Sequence, residues 1–220
     1  MPLSRIMNDS YAIFESQLND ACNSFQNLRV KSIDGKCYLK GTLDILNTDN
    51  ILVGSFLIEV RWSEGFPYRF PALFEVGGDI PCEPDWHKYK NNSCCVTVEP
   101  DEIHKCKHGI TVTQFISNYA IPYFANQCYK RIEGKYFDEY PHGKEGLIRY
   151  YTELMGTSDT NLWREYLELA FGKRPLKIKR DDPCICKNGK KFEKCHLKTF
   201  ETLRDIGIVN INRHFSQISL

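Results

Sequence analysis

The chain lacks any stretch that is apolar for long enough to cross a bilayer. Its longest apolar run, Ile51 to Val60, falls far short of a span and contains Glu59, so no membrane role is expected. The first twenty residues also lack the basic start and apolar core of a secretory signal. Without that signal, the ten cysteines are expected to be reduced thiols of a cytoplasmic protein, not a disulfide scaffold. Internal repeats and low-complexity tracts are missing as well. What remains is the composition of an ordinary folded chain, with 42% hydrophobic and 26% charged residues. Its 220 residues have room for one substantial domain and a small module.

Net charge is only +1, but it is unevenly distributed. Between Gly172 and Lys198 there are ten Lys/Arg against three Asp/Glu, which makes that segment +7. Within it, Cys184-Ile185-Cys186 is followed after eight residues by Cys195-His196. Three thiolates and one imidazole complete a closed tetrahedral structural Zn²⁺ site. Asn188-Gly189 supplies the turn between the ligand pairs, because both residue types tolerate positive φ. The segment Asp182 to His196 resembles the SEC-C motif, a small zinc knuckle. That resemblance implies Zn²⁺ held by Cys184, Cys186, Cys195 and His196, with no catalysis at the ion. The surrounding positive charge reads either as solvated lysines or as a surface for nucleic acid or an acidic partner.

Upstream, Leu3, Met7, Tyr11, Phe14, Leu18, Ala21, Phe25 and Leu28 form one helical stripe. Leu28–Ile33 reads as a strand that ends in the hairpin turn Asp34-Gly35. Leu39, Gly41, Leu43 and Ile45 alternate as a half-buried second strand. A third strand places Leu52, Phe56, Ile58, Val60 and Trp62 on one face. After the proline-rich Phe66–Pro71, a fourth strand covers 72–76. The stretch from Gly77 to about Gly109 shows no regular period, and an irregular stretch of that length is usually functional. Helices are expected at 111–121, where Pro122 ends one or begins another, and at 143–155 and 161–171, stopped by Gly156 and Gly172.

Phe66-Pro67-Tyr68-Arg69-Phe70-Pro71-Ala72, then Asp85-Trp86-His87, then Asn91-Asn92-Ser93-Cys94-Cys95-Val96 follow one another in this order after a helix and a meander. In that order the chain resembles the ubiquitin-conjugating enzyme family. Pro141-His142-Gly143-Lys144-Glu145-Gly146 gives it the look of bacterial members. The resemblance covers roughly 1–155. It implies an α+β fold with a helix on a four-stranded antiparallel meander, more helices after the active loop, and the zinc knuckle attached behind. Cys95 would carry a ubiquitin-like modifier as a thioester, with His87 beside it in the catalytic loop. The implied partners are a ubiquitin-activating-type enzyme, the modifier and a target protein; the bacterial look points to antiviral defence.

The expected division is 1–171 for the conjugating-type domain, 172–182 for a basic linker and 183–220 for the knuckle and C-terminal tail. One departure stands out. Eukaryotic members of the family follow the histidine with proline and asparagine, and that asparagine is credited with supporting the oxyanion; here His87 is followed by Lys88 and Tyr89. The role is vacant, or filled by Asn91 or Asn92. His87 reads as a hydrogen bonder that organises the loop, or as a base. Glu99, Asp101 and Glu102 read as a solvated acidic turn, or as groups that orient an incoming lysine. His104-x-Cys106-x-His108 would place three ligands on one side of an extended segment. Cys22, Cys37 and Cys128 read as core. Two other classes stay open: an inactive relative that only binds a modifier, and a zinc-knuckle adaptor for nucleic acid or ribosomes.

Overall fold

The computed structural model describes residues 3–172 and 178–218, with side chains described from residue 9 onward. It is α+β, and the chain divides into two compact units: residues 1–97 with 105–139, and residues 98–104 with 140–220. Among the described residues, no helix is long and apolar enough to cross a membrane.

The first unit opens with α1 (Leu3–Ser16) and α2 (Leu18–Ser24). The single stripe expected here is therefore interrupted at Gln17. Phe14, Leu18 and Ala21 are fully buried as that stripe requires, while the side chains of Leu3 and Met7 lie outside the described residues. Four strands follow in the order β1 (Leu28–Ile33), β2 (Lys36–Leu46), β3 (Leu52–Arg61) and β4 (Ala72–Glu75), each antiparallel to its neighbour. Asp34 and Gly35 turn the first hairpin with φ of 50° and 76°, the conformation that a two-residue turn demands. Leu39 faces Val60, Gly41 faces Ile58 and Leu43 faces Phe56, so the alternation of both strands delivers one apolar face to the core. Leu52 does not join that face; it lies beyond a register shift at Ile45/Leu46 and is exposed. A side chain at Gly41 would meet the Asn27 carbonyl at 2.1 Å, so glycine lets the incoming chain cross the sheet there.

Next come α4 (Val112–Phe115), a π-helical turn (Ile116–Ala120) and α5 (Ile121–Glu133). Pro122 does not end the helix: it lies just past the π-helical turn, with Ala120 and Ile121 both in helical conformation. Thr111 and Gln114 cap the start reciprocally. Phe124 of α5 stacks on Phe56 of β3 with centroids 4.6 Å apart, which docks the helix on the sheet.

The second unit contains α3 (Glu99–Lys105, through His104), α6 (Gly143–Met155), α7 (Thr160–Phe171), α8 (Leu197–Ile206) and α9 (Ile208–Gln217). Helix α3 falls within the stretch expected to be irregular, and α8 and α9 fill what was expected to be a tail. Leu147, Tyr151, Met155, Trp163, Phe200, Leu203, Ile211 and Phe215 form one core, and Cys184 and Phe192 lie in it. One core therefore joins residues on both sides of 171. The apolar faces of α6 and α7 are covered by α8 and α9, so a cut at 171 would split one core. Of the expected linker 172–182, residues 173–177 lie outside those described. Its end is a folded turn, with the Lys179 N–H donating to the Asp182 carboxylate at 2.8 Å.

Candidate functional site

The metal-type cluster is built by a short hairpin. The Cys184 N–H donates to the Lys190 carbonyl and the Phe192 N–H to the Asp182 carbonyl, both at 2.8 Å. Between them Lys187 and Gly189 adopt φ of 57° and 80°, so of the expected Asn188-Gly189 pair only Gly189 takes positive φ, and Lys187 takes the other such position. A single 3₁₀ turn, Phe192–Lys194, then delivers Cys195 and His196 at the start of α8. The four ligand atoms all lie within 4.8 Å of one another. The Cys186 and Cys195 sulfurs are 3.6 Å apart, and His196 Nδ1 lies 3.2 Å from Cys184 and 3.1 Å from Cys195.

A tetrahedral cation with metal–sulfur bonds of about 2.3 Å has its sulfurs about 3.8 Å apart, so the cage has the right size. The other ring nitrogen, Nε2, lies 3.4 Å from the Met155 carbonyl. That partner selects the tautomer with Nδ1 free to ligate, as in metal-binding histidines generally. Burial and the neighbouring Cys184 and Cys186 sulfurs push the Cys195 thiol up to about 11, whereas the Asn188 amide and the neighbouring thiols outweigh burial and lower Cys186. The cluster can hold a metal ion.

His104, Cys106 and His108 do not form a second such group. The segment is helical through Lys105 instead of extended. His104 is bonded to Asp205 at 3.1 Å, and Cys106 is buried in the first unit's core.

Cys95 lies on a hairpin laid along β4. The Cys94 N–H donates to the Leu73 carbonyl at 2.8 Å, the Cys95 N–H to the His87 carbonyl at 2.7 Å, and the Tyr89 N–H to the Ser93 carbonyl at 2.9 Å. Lys88 and Cys94 pair directly across this hairpin, and both turn inward. Lys88 is buried, its ammonium bonded to the Glu75 carboxylate and to the Ile80 carbonyl at 2.9 Å. Burial pushes the Cys94 thiol up to about 12, which disables it as a nucleophile near neutral pH. Neighbouring side chains on an extended hairpin alternate sides, which directs Cys95 away from Cys94; both are half-buried.

A ring nitrogen of His87 lies within 4.8 Å of the Cys95 sulfur. His87 adopts φ of 48°, and its Nε2 bonds Glu139, which orients the ring. The Glu99 carboxylate is occupied within the second unit by Arg213, at 2.8 and 2.9 Å, and by His214 at 3.2 Å; a solvated turn does not describe it.

Two groups of residues were not anticipated. Tyr89, at the position of the expected asparagine, lies near enough to Cys95 for the sulfur to raise its hydroxyl. Tyr123 and Gln127 of α5 hold the Trp86 carbonyl, at 3.3 and 3.1 Å. Lys130 bonds the Asp85 carbonyl and lies 4.7 Å over the Trp86 ring. The i, i+4, i+7 spacing of Tyr123, Gln127 and Lys130 was the sequence signal for this face. Asn91 and Asn92 are engaged at the hairpin tip, with Asn91 accepting from Ser93 (2.7 Å) and Asn92 from Cys82 (3.3 Å).

No protein-family model matches the chain, and neither a curated protein nor a solved structure matches it.

Proposed function

We propose that this chain carries a ubiquitin-like modifier as a thioester on Cys95 and passes it to an amine of a target protein. It would receive the modifier from a ubiquitin-activating-type enzyme. The observation that carries the reading is the placement of the vicinal pair: Cys94 packs against the first unit's core, while Cys95 is held by its N–H to His87 on a hairpin pinned to β4. Such chemistry needs a nucleophile held in place more than it needs a strong base. Resemblance in motif order supplies the identity of the acyl group. Zn²⁺ is the ion that suits three thiolates and an imidazole in a tetrahedron, and its part is to neutralise charge and cross-link the hairpin.

With ATP, an activating enzyme and the modifier, wild type should form an adduct that reductant removes. Cys95→Ser should give no adduct or a slower, reductant-resistant oxyester, while Cys94→Ala should keep the thioester. The reverse pattern would transfer the role to Cys94. If neither substitution changes the outcome, the chain acts as a binding module. A second reading, adaptor binding to RNA, is favoured by the exposed Lys187, Lys190, Lys194 and Lys198. It requires affinity that falls steeply with salt.

A further inference from the structure

We infer that Tyr89 is a catalytic hydrogen-bond donor, supplying to Cys95 and its acyl adduct the stabilisation expected of an asparagine. This inference rests on the thioester reading of Cys95 and deepens it.

Geometry makes the first argument. On the hairpin that pairs Lys88 with Cys94, Tyr89 stands opposite Ser93 and diagonal to Cys95. Diagonal neighbours lie about 7–8 Å apart at the backbone, a gap that aromatic side chains bridge. Lys88 and Cys94 face inward, which sends Tyr89 and Cys95 to the outer side together. Tyr89 is indeed 51% exposed, and the Cys95 sulfur is near enough to raise its hydroxyl.

Chemistry makes the second. Partial burial of its ring, and then the Cys95 sulfur, push Tyr89 up to about 12, so near neutral pH it keeps its proton and can donate. A thiolate at Cys95 accepts that bond. When the thiolate adds to a thioester carbonyl, the sulfur–carbon bond forms and the π electrons move to oxygen. That oxyanion is two bonds from the sulfur, within the sweep of the same hydroxyl. Collapse expels the donor's thiolate and leaves the acyl group on Cys95. In the second half an amine nitrogen adds and loses its proton to solvent, and Cys95 departs as thiolate. Tyr89 donates at each stage and is itself unchanged. Asn91 and Asn92 are engaged with Ser93 and Cys82, away from this path.

The test uses the full chain carrying Cys94→Ala, with Tyr89 or with Tyr89→Phe. Peptide mass spectrometry follows iodoacetamide alkylation of Cys95 against pH. Acyl transfer is followed in single turnovers, from a glycine-terminated peptide mercaptoethanesulfonate thioester onto Cys95 and then to hydroxylamine. Without the hydroxyl, the alkylation profile should move up by roughly one pH unit and acyl transfer should slow about 10²-fold. A purely structural tyrosine would leave the pH profile in place. If wild type takes up the acyl group and Tyr89→Phe matches it in both assays, this inference falls and the thioester reading stands. If wild type never acylates at Cys95 while alkylation still depends on Tyr89, the thioester reading falls and the hydroxyl's hold on the thiolate stands.

Discussion

Lys88 places an ammonium group inside the first unit, directly behind the hairpin that presents Cys95. Its side chain is 1% exposed, and that of its partner Glu75 is 0% exposed. Removing one member of such a pair leaves the other buried without compensation, at a cost of about 3–5 kcal/mol. Lys88→Met should lower the denaturant stability of the first unit by that order. Adding Glu75→Gln should recover much of the loss; no recovery would mean that the pair is not the source. Burial alone would raise the Glu75 carboxyl, but Lys88 and the amides of Asp79 and Ile80 outweigh it and hold the group below the usual range. A lowered folded-state value means stability that is complete above the unfolded carboxyl, about pH 4.3, and lost as pH falls through the folded-state value. Urea titrations between pH 5 and 2 should show a shallower loss in Glu75→Gln than in wild type. None of this could be read from the sequence. A lysine between His87 and Tyr89 in a polar loop looks solvated, and its partner is on a strand whose alternation makes no reference to it.

At the scale of the elements, local pattern was legible wherever one apolar face decided the structure. The four strands and the Asp34-Gly35 turn follow from alternation and turn chemistry, and α6 and α7 follow from helical period and the glycines after them. Helix α3 was hidden because its first turn, with Glu99, Pro100, Asp101 and Glu102, has cap chemistry but almost no apolar stripe. Helices α8 and α9 were legible in principle: Phe200, Leu203, Ile206, Ile211 and Phe215, all buried, recur at helical intervals across the break at Gly207. The four ligand-type residues of the hairpin were legible from spacing alone, but their share in a larger core was not. That share changes the expected effect of losing the metal. Binding free energy at such sites is of the order of 10 kcal/mol, and here Cys184 and Phe192 are also core residues. Cys184→Ser with Cys186→Ser should abolish retention of about one zinc per chain, measured by elemental analysis. Hydrogen exchange should then rise across 143–171 and 197–217, and stay low across β2 and β3. Exchange confined to 183–196 would restore the picture of an independent knuckle.

For the whole molecule, two cores predict two transitions. Heating with a chelator should shift one calorimetric transition strongly downward and leave the other near its original temperature. One transition moving as a whole would mean that the units unfold together. The second unit is also discontinuous: α3 belongs to it, yet is followed by the 35 residues 105–139 that complete the first. This has a consequence for the ribosome. Glu99 leaves the exit tunnel 114 positions before the arginine that clamps it, which at about 5–20 residues per second is a wait of roughly 6–23 s. A seven-residue helix is too short to hold itself together over that time. The nascent chain therefore completes its sheet and the Cys95 hairpin first. The next segment, Val98–His104, stays unstructured until the last helix, α9, has been synthesised.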